Sequence, residues 1–274
     1  MPQNSKIADE FRSYTLPIAS NLFEELLTSV QFEDVGKGRQ GAVLIKIDKT
    51  GSIPIVRTTT RYSIPAQRFQ SVHDRLAQQI CKSASLTIGF NNALIENYTN
   101  AYATMGSHSD QALDLADKSS IAIFSCYKYP ERANPSRKLL IELKESRSDL
   151  IEIPLTHNSV VVFSVNTNRR FKHKIVLDRS TQTPENQWLG ITFRTSNTFV
   201  RFRDESPYFV DDTRLKLAND EQKREFYHLR HRENNETGFT YPQVTYTISE
   251  SDMMPLNPEC RTPNTRADLR HTAG

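Results

Sequence analysis

The strongest constraint on the fold is a run of short strand-like segments between residues 91 and 200. Each is rich in β-branched and aromatic residues, and polar turns separate one from the next. The segments are NALIENYT, SIAIFSCY, KLLIELKE, LIEIPL, SVVVFSV, FKHKIVLD and WLGITFRTS. Closely spaced strands with few helical stripes between them predict a barrel or a sandwich, and not an alternating βαβ enzyme.

The segments on either side of this β region have a different pattern. Apolar residues recur at helical spacing over 17–30 and 69–82, with strands predicted over 42–47 and 53–64 between them. After residue 200 the chain turns polar and predicts one charged, exposed helix, followed from Tyr241 by an irregular tail. We therefore expect N-terminal helices and strands packing on the core over 1–90, with a candidate substrate lid, a β core over 91–200 and a C-terminal part over 201–274.

Composition narrows the protein class but not its partner. The 274 residues are 37% hydrophobic and carry a formal net charge of +3, with basic and acidic residues interspersed. There is no apolar run of roughly 20 residues that would predict a membrane span. The start MPQNSKIADEF lacks a secretory signal, which predicts an intracellular and cytoplasmic protein. Cys81, Cys126 and Cys260 are far apart and are expected to be reduced thiols. The oligomeric state stays open.

Three residues of the β region have the chemistry of a metal site. His108 and Asp110, in MGSHSD, flank a single residue just past a predicted strand, so in extended conformation their side chains point to one side. His173, in FKHKIV, lies in a later strand. Two imidazoles and one carboxylate on one face could hold iron(II) with positions left open. A chance HxD triplet and a hydrogen-bonded strand histidine are the alternative interpretation.

A fourth residue, Arg194 in WLGITFRTS, lies on the strand after His173. A guanidinium directed into a barrel is costly to bury unless it meets an anion, and its planar fork suits a carboxylate. That carboxylate could belong to a ligand or to a protein acid such as Asp178. The order HxD, distal His and downstream Arg favours a ligand, because strand packing does not require this combination.

The ordered set resembles the 2-oxoglutarate and iron(II)-dependent dioxygenases, and in particular their AlkB-like branch, over residues 88–200. The resemblance implies a mainly β fold with flanking helices and a double-stranded β-helix (jelly-roll) core. It implies that His108, Asp110 and His173 bind Fe(II), with 2-oxoglutarate and O₂ as cosubstrates. Arg194 would bind a cosubstrate carboxylate, the distal one.

Further motifs extend the resemblance and limit it. ENYTNAYATMGSHSD is similar to the strand that precedes HxD in AlkB-like enzymes, which implies that Asn97 and Tyr98 face the cosubstrate. Ser196 completes an RxS element similar to that of small-molecule oxygenases. AlkB-like repair enzymes carry two arginines six residues apart at this last motif, and here Trp188 takes the first position.

These similarities imply oxidation of a C–H bond in an unidentified substrate, with a small molecule or amino acid favoured. Oxidative demethylation of nucleic acid and a non-catalytic metal-binding β-barrel module are the alternatives. Polar residues of PIVRTTTRYSIPAQRF have two open interpretations. They could bind an anionic substrate, or they could form the solvent face of a strand and turn. The remaining histidines are interpreted as solvated or turn residues: His73, His157, His228 and His231.

Overall fold

The computed structural model describes residues 10–133, 137–146, 150–178 and 185–256. Its strands are β1 Arg12–Thr15, β2 Glu33–Gly36, β3 Arg39–Ile45, β4 Ile53–Pro54, β5 Gln67–Arg68, β6 Asn92–Tyr98, β7 Ser120–Tyr127, β8 Arg137–Leu143, β9 Leu150–Pro154, β10 Ser159–Ser164, β11 Phe171–Leu177, β12 Trp188–Arg194, β13 Phe199–Arg203, β14 Ser206–Phe209, β15 Lys216–Leu217 and β16 Tyr246–Thr247. Its α-helices are α1 Phe23–Thr28, α2 Ser71–Ser83, α3 Val165–Arg170 and α4 Asp220–Asn235.

Two antiparallel layers form the core. The large sheet has the order β1-β10-β7-β12-β6-β3-β2, with β5 added in parallel to β3, and the small sheet has the order β11-β8-β9. Apart from the consecutive pairs β2–β3 and β8–β9, neighbouring strands are distant in sequence, as in a jelly roll where the chain passes back and forth between layers. Apolar side chains from both sheets pack in one cluster, among them Ile123 and Phe163 from the large sheet and Ile141 and Phe171 from the small one.

The outer face of the large sheet is covered by helices. Leu26 of α1 and the buried side of α2, including Leu76 and Ile80, pack against Ala93 and Phe124 of the sheet. Because both faces of its central strands are covered, β6, β7 and β12 are buried along nearly their whole length. The prediction of a mainly β fold with a jelly-roll core and flanking helices is confirmed.

The seven strands predicted over 91–200 are all present, each ending within two residues of its predicted bounds. The N-terminal predictions were too long. The helix predicted over 17–30 is reduced to α1, because the Asn21 side chain accepts the Phe23 N–H at 3.0 Å and turns the chain just before the helix. The strand predicted over 53–64 is reduced to β4.

Helix α2 forms where it was predicted, but the prediction that His73 is solvated was wrong. His73 is buried and belongs to a capping box at the start of the helix. Its Nδ1 accepts the Gln70 N–H at 3.0 Å, and its Nε2 lies 3.0 Å from Ser29 Oγ. The two hydrogen bonds make burial of the imidazole possible.

The C-terminal part packs on the β core through α4. Phe226 and Leu229 of the helix join an apolar cluster with Val244, Tyr246 and Ile248, so the segment after the helix packs back on it. Residues 257–274, with Cys260, lie outside the described residues, while Cys81 and Cys126 are free thiols. Among the described residues, no helix has the length and apolar content needed to cross a membrane.

Candidate metal centre

A short extended segment before the HxD motif joins the small sheet beside β11. Backbone bridges pair Thr104 with Val176 and His108 with His173. In the second bridge the two histidines exchange both N–H···O bonds, at 3.0 and 2.7 Å. This pairing places His108 and His173 directly opposite each other, although they are far apart in the chain.

The three predicted ligands meet at this bridge. Oδ1 of Asp110 lies 3.8 Å from Nε2 of His108 and 3.7 Å from Nε2 of His173. The ligand atoms of the three residues all lie within 4.8 Å of one another. Ligand atoms about 2 Å from one metal ion are separated by about 3–4 Å, so a small contraction would allow all three to bind the same ion.

The protonation states also suit a metal. Nδ1 of His108 lies 2.8 Å from the carbonyl oxygen of Gly106, which can only accept, so Nδ1 carries the proton and Nε2 presents its lone pair. Burial lowers the pKa of His173 to about 3 and lowers the pKa of His108. At neutral pH both imidazoles are therefore neutral, as metal ligands must be.

Asp110 is ionised because of its neighbours. Burial alone would raise the pKa of this carboxyl, but the Arg194 guanidinium and the two imidazoles outweigh burial and hold it well below its usual range. Nε of Arg194 donates to Oδ2 of Asp110 at 2.8 Å. Asp110 is therefore the protein acid that pairs with Arg194. Asp178, which the sequence offered as a partner for Arg194, instead pairs with Lys138 at 2.9 Å.

A cavity of about 380 Å³ opens beside the three ligands. Leu94, Ile123 and Ile175 supply an apolar wall, and Arg194 lies in the lining with the ligands. The other side has hydroxyl, amide and charged groups, which come from the Thr58–Thr60 segment, from β3 and β6, and from α4: Thr58, Thr59, Thr60, Arg39, Glu96, Tyr227, Arg230 and Asn234.

The sequence interpretation missed an ion pair in this lining. Arg39 of β3 contacts Glu96 of β6, with Nη2 to Oε1 at 2.5 Å, and the guanidinium also lies over the ring of Tyr102. Glu96 points to the same side of β6 as Leu94 and Tyr98, because side chains two residues apart in a strand share a face. An acid at an inward position of a buried strand was the available signal, since such an acid needs a partner.

The remaining predicted site residues lie outside this lining. Tyr98 is fully buried, and its hydroxyl donates to Glu96 Oε2 at 2.8 Å. Asn97 points to the other side of β6 toward Gln40, and Ser196 Oγ bonds to the carbonyl of Ile55 at 2.6 Å. The structure therefore brings together His108, Asp110, His173 and Arg194, and cosubstrate contacts by the other three stay predictions.

The donor set fits a catalytic iron better than a closed structural site. Two imidazoles and one carboxylate would leave the other positions of a six-coordinate metal open, and all three residues line the cavity. Structural zinc sites instead use four protein ligands, commonly thiolates. Cys81 and Cys126 are not part of the ligand group.

Comparison with known proteins gives fold likenesses only. No protein-family model matches the chain, and no curated protein matches it in sequence. A prolyl-4-hydroxylase from Pseudomonas putida has 13% identity and a TM-score of 0.40, covering 71% of this chain and 99% of its own. A prolyl hydroxylase from Trichoplax adhaerens, in complex with a hypoxia inducible factor peptide fragment, has 10% identity and a TM-score of 0.43, covering 70% of this chain and 91% of its own.

Proposed function

We propose that this protein is an Fe(II)- and 2-oxoglutarate-dependent oxygenase. The observation that carries the proposal is the triangle of His108, Asp110 and His173 facing a cavity that also holds Arg194. Two histidines and one carboxylate with open positions are the ligand set of non-haem iron(II) oxygenases. When bound, the iron supplies activation of O₂ coupled to oxidation of 2-oxoglutarate.

The protein's own residues would hold the reactants in place. His108 and His173 bind the metal as neutral imidazoles, and Asp110 offsets part of its charge. Arg194 uses Nε for Asp110, and a guanidinium has four further N–H groups on its terminal nitrogens. We propose that these bind a carboxylate of the cosubstrate. The apolar wall of Leu94, Ile123 and Ile175 would exclude water from this contact.

We propose a small substrate with little negative charge. The cavity of about 380 Å³ must hold the cosubstrate as well as the reacting group. The three arginines of its lining each contact an acid already: Arg39 with Glu96, Arg194 with Asp110, and Arg230 with Glu233. Because each arginine is already paired with an acid, the lining has little net positive charge to offset a polyanionic substrate, whereas a neutral or singly charged molecule needs no such charge.

Oxidative demethylation of nucleic acid in the manner of the AlkB-like branch is the second candidate. Tyr227 lines the cavity and is 42% exposed, and Arg61, which lies outside the lining, donates from Nη2 to the Tyr227 hydroxyl at 3.2 Å. An arginine beside an exposed aromatic ring is a combination that binds phosphates and stacks on bases. No phosphate-binding stripe of cations accompanies this pair in the lining residues, so we rank it second.

The test is succinate formation from 2-oxoglutarate by the purified protein with iron(II), ascorbate and O₂. We expect slow turnover without substrate, its loss in His108→Ala, and its retention in His228→Ala, because His228 is an exposed histidine of α4. Stimulation of turnover by free amino acids or by methylated oligonucleotides would separate the two substrate classes. Metal binding without 2-oxoglutarate binding or turnover would instead identify a non-catalytic module and contradict the proposal.

A further inference from the structure

We propose that Asn234 and Arg230 of α4 are positioning residues, which fix the geometry of the metal ligands through the peptide groups of Ser109. The inference rests on the proposed metal site and assigns a role to a helix whose sequence predicts only an exposed, charged surface. It concerns the strength and geometry of metal binding, and not contact with the reacting atoms.

Ser109 is the residue between the ligands His108 and Asp110, and it is fully buried. Its N–H donates to Oδ1 of Asn234 at 3.0 Å, and its carbonyl oxygen accepts from Nη2 of Arg230. Both polar groups of its backbone are thus bonded to one helix. The peptide planes on either side of Ser109 cannot rotate without breaking one of these bonds.

The rotation of those planes matters because of where the ligands attach. His108 and Asp110 are two residues apart in an extended segment, so their side chains share a side only while the backbone between them stays extended. Turning the Ser109 peptide groups would swing one ligand away from the other. The helix therefore controls the angle between two of the three ligands.

The helix is itself held in place, which a positioning element requires. A capping box between Asn219 and Gln222 begins it, and Phe226 anchors it in the apolar cluster of the C-terminal part. Glu233, which is buried, accepts the Ala112 N–H at 2.8 Å and pairs with Arg230 at 2.6 Å. Arg230 and Asn234 lie four residues apart, on the same face of α4.

The ligand segment is also supported from its other side. Asn168 exchanges two hydrogen bonds with the backbone of Asp110, both at 2.7 Å, and Ser109 Oγ donates to the Phe171 carbonyl at 2.8 Å. Loss of the α4 contacts should therefore leave the segment folded but less well oriented. This separates a positioning role from a role in overall folding.

The experiment compares Asn234→Leu, Asn234→Asp and Asn235→Leu in the full chain by anaerobic titration with Co(II). Leucine keeps the size of Asn234 and removes the acceptor of the Ser109 N–H, whereas aspartate keeps an oxygen at that position. Asn235 is the matched control, because it is exposed on the same helix and bonds only within it, to His231. The measurements are the Co(II) dissociation constant, the visible absorption spectrum of the bound ion and the unfolding temperature of the metal-free protein.

We expect Asn234→Leu to weaken Co(II) binding by about 10- to 100-fold, the usual effect of removing a group that orients a metal ligand, with an altered spectrum. Asn234→Asp should recover most of the affinity, and Asn235→Leu should bind like wild type. Unchanged affinity and spectrum in Asn234→Leu, or an equal loss in Asn235→Leu, would overturn the positioning role while leaving the metal site intact. Failure of the wild-type protein to bind Co(II) would overturn the proposed function and this inference together.

Discussion

Replacing Arg194 with methionine should destabilise the metal-free protein while improving its affinity for a divalent metal. The side chains of Arg194 and Asp110 are 8% and 4% exposed, so the pair is shielded from water. Methionine keeps much of the arginine's length but leaves Asp110 as a buried carboxylate without its main partner. Breaking a buried pair from one side costs about 3–5 kcal/mol, and we expect a loss in free energy of unfolding of this order at pH 7.

A bound dication should reverse much of that loss. In the wild-type protein a metal at the three ligands is repelled by the Arg194 guanidinium, and in the variant it neutralises an otherwise unpaired Asp110. Metal at about 100 times its dissociation constant stabilises a protein by about 2.7 kcal/mol, and the variant should gain more than wild type from the same Co(II) concentration. Binding of 2-oxoglutarate should be lost, since the variant lacks its proposed carboxylate partner.

The pH dependence follows from the carboxyl group. In wild type the folded-state pKa of Asp110 lies below its unfolded value, so its contribution to stability is present above that unfolded value and lost as pH falls further. Without Arg194 burial raises this pKa, and protonation then relieves the buried charge. The stability difference between wild type and variant should therefore be largest near neutral pH and shrink as pH falls through the acid range.

The assay is urea unfolding with and without Co(II), from pH 7 to pH 4, with Arg203→Met as the control. Arg203 pairs with Asp212 on the surface, where both side chains are more than half exposed, so its loss should change stability by less than about 1 kcal/mol. The reasoning would be refuted if metal-free Arg194→Met were as stable as the Arg203→Met control, or if Co(II) stabilised it less than wild type.

Three further predictions concern ionisable groups away from the candidate metal site, of which Asp252 is partly buried and the others are buried. Burial lowers the pKa of His73 from 6.5 to about 4, so the free energy of unfolding of wild type should fall by up to about 3 kcal/mol as pH falls from 6.5 to 4. In urea unfolding, His73→Gln should remove this pH dependence. Burial raises the pKa of Asp252 from 3.8 to about 6, so the stability of wild type should rise as pH falls from 6 toward 4. In the same assay at pH 8, Asp252→Asn should be more stable than wild type by up to about 3 kcal/mol. Arg57 and Asp114 form a pair that is almost fully buried, and Arg57→Met should cost about 3–5 kcal/mol by urea unfolding, whereas a change below 1 kcal/mol would contradict a role as a structural pair.

The strands of the core could be predicted because their signal is local. Segments such as SVVVFSV and SIAIFSCY are short, rich in β-branched residues and bounded by polar turns. The helices were harder, because an apolar stripe describes which residues can be buried and not where a helix starts. A single side chain, Asn21, ends the helical geometry on one side of α1.

The grouping of His108, Asp110 and His173 was also predictable, and its surroundings were not. The spacing of His108 and Asp110 is a local feature, whereas the contact of Asp110 with Arg194 joins residues 84 positions apart. The C-terminal helix shows the same limit. Arg230 and Glu233 read as exposed charges in sequence, yet both are buried because each finds a partner in the other and in the ligand segment.

The sequence by itself determined the strand-rich core, the types of residue at the candidate metal site and the reaction class proposed from them. Only the tertiary structure decided which charges neutralise each other, that Glu96 and Arg39 line the cavity, and that α4 holds Ser109. The physical reason is that strand formation depends on neighbours along the chain, while the burial of a charge depends on the partner that the fold brings to it from a distant segment.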